Sequence, residues 1–378
     1  MPAHLQTRDE FRATLLLRGS VVLAFLCSCS TAPGPSGPSG SGGATGASTG
    51  GQAGTGTGGQ AGSTTGGQTG STTGGTDAGT GGSEETGSGG IESGTGGSST
   101  GGSASGGSDS GGSGGTDPED PEVTVVLAGD DVNSDGPLAV TLEENLTFSG
   151  GGHILVRPTN ITTEANTKHP VAIWGPGGDT APAYYIQLLN RMASQGFVIV
   201  GIRESTGDSV LMSAAIDWLE EQNADSNSPM YDRLLLDRVG VFGHSMGGLS
   251  SEVTALMDDR VTTALLDNSG AFNHDALVDV TIPVGIIYGE NGQEAPNAVG
   301  DFSNAGNQGP CWLGMMAGGG HGSGPWDAAA ANVAWMRWHL GGENFRKDAF
   351  LADGGAYNDT GIWTTDFKNW DDWKNWNE

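Results

Sequence analysis

The chain has 378 residues, 69 of them glycine, and sets 15 Lys and Arg against 44 Asp and Glu, a formal charge of −29. Such acidity argues against nucleic acid or anionic lipid surfaces as partners, because both repel a negative protein. Composition also takes about a third of the chain out of the folding problem.

Taken in order, the first residues carry Arg8, Arg12 and Arg18, followed by the apolar run from Val21 to Cys27. That is the charged-then-apolar order of a secretory signal, too short to span a bilayer as a mature helix. The run closes with Leu26-Cys27-Ser28-Cys29, which resembles a bacterial lipobox, where a small residue precedes the cysteine that is acylated. Cys29 fits that pattern and Cys27 does not, since bulky Leu26 would sit at the cleavage position. Residues 1–29 are therefore expected to be a lipoprotein signal peptide, with ordinary cleavage and free secretion as the alternative. Either way the protein is exported, to the cell envelope or surface if lipid-anchored.

Residues 30–121 are expected to be a disordered linker. Between 31 and 120 there are 35 glycines, many Ser and Thr, and no Lys or Arg. So few apolar side chains cannot offset the chain entropy lost on ordering, and a coil of this length reaches roughly 50 Å.

Residues 122–378 have the size of one domain, with 12 Lys and Arg, 34 Asp and Glu, and a formal charge of −22. Cys311 is the sole cysteine there, so no disulfide forms within it and a buried free thiol is expected. "HILVRPT" and "HPVAIWGPGG" predict strands, "APAYYIQLLNRMASQG" a helix, "FVIVGI" a strand and "SVLMSAAIDWLEEQNAD" a helix. "RVGVFGHS" predicts a strand entering a turn, "GGLSSEVTALMDD" a helix, "VTTALLDN" and "TIPVGIIYGENG" strands, and "WDAAAANVAWMRWHL" a helix. Near-continuous apolar strands separated by helices give a doubly wound α/β fold, a mostly parallel sheet with helices on both faces. Reactive groups in that architecture gather beyond the carboxyl ends of the strands.

The pattern Gly243-His244-Ser245-Met246-Gly247 lies where one predicted strand gives way to a helix. The same G-x-S-x-G spacing occurs at Ser48, Ser99 and Ser113, but in the linker, with no strand or helix around it. At Ser245 the context is that of a nucleophile elbow, where flanking glycines leave room for the tight crossing and the hydroxyl projects above the sheet. A serine needs a base, and the base an acid to orient it. Of His153, His169, His244, His274, His321 and His339, only His321 sits in a glycine loop, "AGGGHGSG", before the last long helix. That is the position of the base in the order Ser, acid, His. His244 adjoins the serine but points away on an elbow, and His339 lies on an amphipathic helix.

From about residue 137 the chain resembles the cutinase-type polyester hydrolases, an α/β-hydrolase branch near dienelactone hydrolase. The likeness is carried by "GGGHILVRPTN", "RMASQGFVIVGI", "GHSMGG", "VTIPVGIIYGEN", "GGGHGS" and "ANVAWMRWHL", and covers about 210 residues. It implies a serine carboxylester hydrolase without cofactor; no metal is expected, the substrate is an ester, polymeric ones included, and the protein is expected to be a monomer. Two departures bear on the site. The family places its acid third in "END", and this chain reads Glu290-Asn291-Gly292. Glu294 is the favoured replacement, because the family's residue at that place lines the cleft; Glu290 and Asp267 are the alternatives. The family also has an aromatic residue after Pro-Gly in the oxyanion loop, where this chain has Gly178. The Gly178 N–H is still expected to pair with that of Met246 as an oxyanion hole. The aromatic wall is lost, which favours short aliphatic acyl esters, and Phe272 stands near the family's cleft tryptophan.

Trp370, Trp373 and Trp376 follow three apart in the C-terminal tail and are expected to pack on the domain, with an exposed strip for a polymer or sugar as the alternative. Two functions remain: a surface-tethered serine esterase, and a catalytically weak or inactive binding protein that lost its acid at Gly292. A carboxylate within hydrogen-bond reach of His321 separates them.

Overall fold

The structure is a computed structural model and describes residues 123–271 and 277–378. The expected signal peptide with Cys29, the expected linker, Phe272 and His274 lie outside the described residues.

Among the described residues ten strands make one sheet. They are β1 (Thr124–Val125), β2 (Val140–Leu146), β3 (His153–Pro158), β4 (Thr167–Gly175), β5 (Val198–Gly201), β6 (Leu234–His244), β7 (Val261–Asp267), β8 (Val284–Gly289), β9 (Cys311–Met316) and β10 (Trp363–Lys368). The order is β10-β9-β8-β7-β6-β4-β5-β3-β2, and β1 pairs off this path, Thr124 beside Thr167 at the start of β4. Strands β4 to β9 pair parallel, as their unbroken apolar runs require. The two outer edges are antiparallel, β2 and β3 on one side and β10 on the other. Strand β3 falls where "HILVRPT" predicts it, but β2 (VTLEENL) and β10 (WTTDFK) were not legible, because they are half polar and short.

Alternation along β4 divides the core. Ala172 and Trp174 point to one face, with Phe242, Trp312 and Trp335; Val171 and Ile173 point to the other, with Val241, Leu266 and Ile286. The first face is covered by α1 (Ile186–Ser194) and by α6 (Ala329–His339). The second is covered by α2 (Val210–Ala224), α3 (Met246–Met257) and α4 (Ala295–Ser303). These are the two helical layers that the sequence predicts. A short α5 (Ser323–Asp327) precedes α6, and α7 (Lys347–Leu351) follows it. No described helix is long and apolar enough to cross a membrane.

Two predicted helices are broken. "APAYY" begins as a 3₁₀ turn over Pro182–Tyr185, where the proline's missing N–H and fixed φ suit a first turn. The last helix is interrupted at Ala328, because α5 is fixed by the sheet end. A Cβ on Gly324 would come within 2.6 Å of the Asp267 Cβ.

The tail packs on the domain. Trp370 stacks on Trp338 at 5.1 Å and donates its indole N–H to the Cys311 carbonyl at 3.0 Å. Trp373 meets Trp338 edge-on, and Trp376 donates to the His339 carbonyl while the Arg238 guanidinium covers its ring at 3.5 Å. Cys311 is a buried free thiol, as expected.

Candidate active site

Ser245 stands between the carboxyl end of β6 and the first residue of α3, at φ 54°, ψ −115°. A left-handed φ on a non-glycine residue costs on the order of 1–3 kcal/mol and persists only where the surroundings dictate it. Here they do. Its N–H donates to the Asp267 carbonyl at 2.9 Å, and Ser269 Oγ donates to its own carbonyl at 2.7 Å. The start of α3 also presses against the end of β4. A Cβ on Gly247 would lie 1.9 Å from the Gly175 carbonyl oxygen, so no side chain is possible at that crossing.

His321, in the loop after β9, brings Nε2 to 2.9 Å from Ser245 Oγ and Nδ1 to 2.7 Å from Glu294 Oε2. Three of the expected residues thus meet in one hydrogen-bonded line. Glu294 sits at the start of α4, just beyond β8, with 5% of its side chain exposed. Its other oxygen, Oε1, accepts from Asn268 Nδ2 at 2.8 Å. Burial alone pushes this carboxyl up, but the bonds from His321 and Asn268 outweigh it and hold the group down at about 2. The carboxylate is therefore charged, and it faces an imidazole 35% exposed at the mouth of the site.

The other two carboxylates go elsewhere. Glu290 Oε2 accepts from the Gly318 N–H at 2.7 Å. Asp267 is fully buried beneath the loop, accepts from Asn332 Nδ2 at 3.2 Å, and is pushed up by burial to about 8. Gly292 explains why no carboxylate can stand at its position here. A Cβ there would lie 2.0 Å from Glu294 Oε1, because the Glu294 carboxylate fills that space from two residues further on.

Gly178, in the loop after β4, is exposed beside Met246; a Cβ on it would sit 3.9 Å from the Met246 Cβ. Met246 opens α3, where the first N–H groups have no intrahelical partner.

Among the described residues three further histidines are held in the core. His153 stacks on Phe148 at 4.0 Å, His169 Nδ1 is 2.8 Å from the Gly196 carbonyl, and His339 is buried against Trp335 and Trp338. His244 does turn away from Ser245, yet it is engaged: Nδ1 is 2.9 Å from Tyr185 Oη and Nε2 2.6 Å from the His321 carbonyl. Sequence reasoning missed three participants. Asn268 holds Glu294 and also bonds the Gly320 carbonyl and the Gly324 N–H, so it pins the loop on both sides of His321. The only hint was a polar residue ending an apolar strand. Tyr184, 68% exposed, and Trp326, 38% exposed, meet edge to face at 5.6 Å, and Trp326 lies 5.6 Å from the His244 ring. They bring an aromatic surface to the site from positions that no motif marks.

A doubly wound sheet with its serine on a strained elbow, and with the histidine in the loop after β9, is an α/β-hydrolase. The sequence pattern of the PET hydrolase-like family matches residues 120–356, well over half of the chain, and the chain belongs to that family. It is 33% identical over 123 residues to Cutinase 2 of Thermobifida cellulosilytica, covering 30% of this chain and 44% of that protein. It is 32% identical over 123 residues to Cutinase est2 of Thermobifida alba, 30% of this chain and 38% of the relative. A Thermobifida fusca cutinase is matched at 33% identity over 123 residues, with shares of 30% and 36%. The chain thus spans less than half the length of each of these cutinases.

Proposed function

We propose that the protein is a serine carboxylester hydrolase with Ser245 as nucleophile, His321 as general base and Glu294 as the orienting acid. The observation that carries this reading is the single line Ser245 Oγ, His321 and Glu294, at 2.9 and 2.7 Å. Ser245 O–H donates to Nε2 and the Nδ1–H donates to the carboxylate, which fixes the tautomer that leaves Nε2 free to accept a proton. Oγ attacks the ester carbonyl as its proton passes to Nε2, and the imidazolium that forms on His321 is paired with the carboxylate already ionised on Glu294. The N–H groups of Gly178 and Met246 hold the tetrahedral oxyanion. Collapse expels the alcohol, which takes the proton from His321, and leaves an acyl-enzyme. Water then repeats the sequence on the acyl group and restores Ser245. Glu294 supports this reading over a binding protein without turnover, which drew its case from the glycine at 292.

Short aliphatic acyl esters suit the open side at Gly178, and the aromatic surface of Tyr184 and Trp326 suits the rest of a larger or polymeric ester. A fluorophosphonate probe should label the protein, and Ser245→Ala should abolish labelling and lower kcat by about 10⁶-fold. Labelling that survives the substitution would remove Ser245 from its role.

We also propose that the protein is a monomer tethered to the cell surface through an acylated Cys29 and the 30–121 linker, on the strength of the Leu26 to Cys29 pattern and the linker's composition. Cys29→Ala should move it from the membrane fraction to the medium. Retention in the membrane fraction would point to another means of attachment.

A further inference from the structure

We propose that Tyr185 and His244 are positioning residues that tie the Gly177-Gly178 loop to the His321 loop, so that oxyanion donor and base are held as one unit. The proposal rests on the roles given above to Ser245 and His321. The tie is a continuous chain of hydrogen bonds between loops that are far apart in sequence. Gly177 N–H donates to Tyr185 Oη at 3.0 Å, Tyr185 Oη lies 2.9 Å from His244 Nδ1, and His244 Nε2 lies 2.6 Å from the His321 carbonyl oxygen.

The directions follow by elimination. A backbone carbonyl only accepts, so His244 carries its proton on Nε2. A backbone N–H only donates, so the Tyr185 oxygen accepts from Gly177. The phenol proton then goes to His244 Nδ1, the acceptor nitrogen of a neutral imidazole. One arrangement therefore satisfies all three bonds. Burial keeps the imidazole neutral by pushing it down to about 4, against the opposing pull of the His321 carbonyl.

Each link is also held by packing. Tyr185 closes the 3₁₀ turn after the oxyanion loop, with Trp174 at 4.8 Å on one side and Trp326 stacked at 5.3 Å on the other. His244 is the last residue of β6, one before the serine. Moving the His321 loop therefore pulls on Gly177 through two buried side chains.

Tyr185→Phe is the sharpest test, because it keeps the ring packing, lies outside the elbow and removes both of that residue's bonds. His244→Gln keeps one donor and one acceptor, and His244→Ala keeps neither. We expect kcat on p-nitrophenyl butyrate to fall about 10- to 100-fold in Tyr185→Phe and His244→Ala, with KM within about two-fold, since small misplacements of reacting groups cost that much. His244→Gln should recover most of the loss, and the Tyr185→Phe/His244→Ala double variant should be no slower than the worse single one. A Tyr185→Phe protein with kcat within two-fold of the parent overturns the proposal, as does a glutamine variant no better than alanine. A parent protein that neither turns over ester nor accepts the fluorophosphonate overturns the Ser245 assignment instead, and the tie with it.

Discussion

In the proposed triad Glu294 supplies, from two residues further on, the carboxylate that the glycine at 292 lacks. Its carboxylate occupies the volume that a side chain at 292 would need. Glu294→Gln should keep the fold and lower kcat by roughly 10⁴-fold, because an amide cannot stabilise the imidazolium and can hold the wrong tautomer. Glu290→Gln should stay within a few-fold of the parent, since that carboxylate serves the Gly318 N–H. Gly292→Asp alone should damage the enzyme by collision with Glu294. Placed in a Glu294→Gly background, which clears the space, it should raise kcat above that of Glu294→Gly itself. Steady-state rates on a soluble ester decide all four, and a Glu290 variant as damaged as the Glu294 one would move the acid upstream. Ser245 and His321 were legible because glycines crowd where backbones cross or loops turn tightly. The acid was only half legible, since its reach depends on the loop's path, and Asn268, Tyr185 and His244 act through partners that no local spacing marks.

At the scale of elements, the central strands declared themselves because both faces of the sheet are covered and every position must be apolar. Strands β4 to β8 fall where the apolar runs predict them, and the site loops leave from their carboxyl ends, as the architecture requires. What failed to show were pieces whose pattern is set by only one neighbour. The edges β2 and β10 face solvent on one side, and α4 is only nine residues long, opens with Ala295-Pro296 soon after a glycine turn and buries few apolar side chains, Ala298 and Phe302. The break at Ala328 belongs to a third kind, because contact between Gly324 and Asp267 overrides a good helical sequence. The tail packs as read at Trp370 and Trp373, whose large rings are worth more against Trp338 than in water, whereas Trp376 stays 44% exposed beneath the Arg238 guanidinium.

For the whole molecule, the pH dependence of stability should carry the mark of Asp267. Burial raises this carboxyl to about 8 in the folded state, whereas an unfolded chain releases the proton near pH 4. Between those values the folded protein holds a proton that the unfolded one lacks. Stability is thus complete below about pH 4 and declines as pH rises toward 8. Glu294 has the opposite sign, and its contribution is lost only as pH falls from about 4 toward 2. Asp267→Asn should therefore flatten the melting temperature between pH 4 and 8, gaining most over the parent at pH 8. Parallel curves for the two proteins would mean that Asp267 is ionised when folded. The way the chain enters the fold has a mechanical consequence. Strand β1 is two residues long and is pinned beside Thr167 and Lys168 at the amino end of β4. The Gly177-Gly178 loop leaves from Gly175 at the other end, roughly 26 Å away at the rise per residue of a parallel strand. Under the tethered reading proposed above, a pull ahead of Val123 would meet β1, held by the Thr124 and Val126 N–H groups at the Asn166 and Lys168 carbonyls, before it met the loops that carry Gly178, Ser245 and His321 at the opposite end of the sheet.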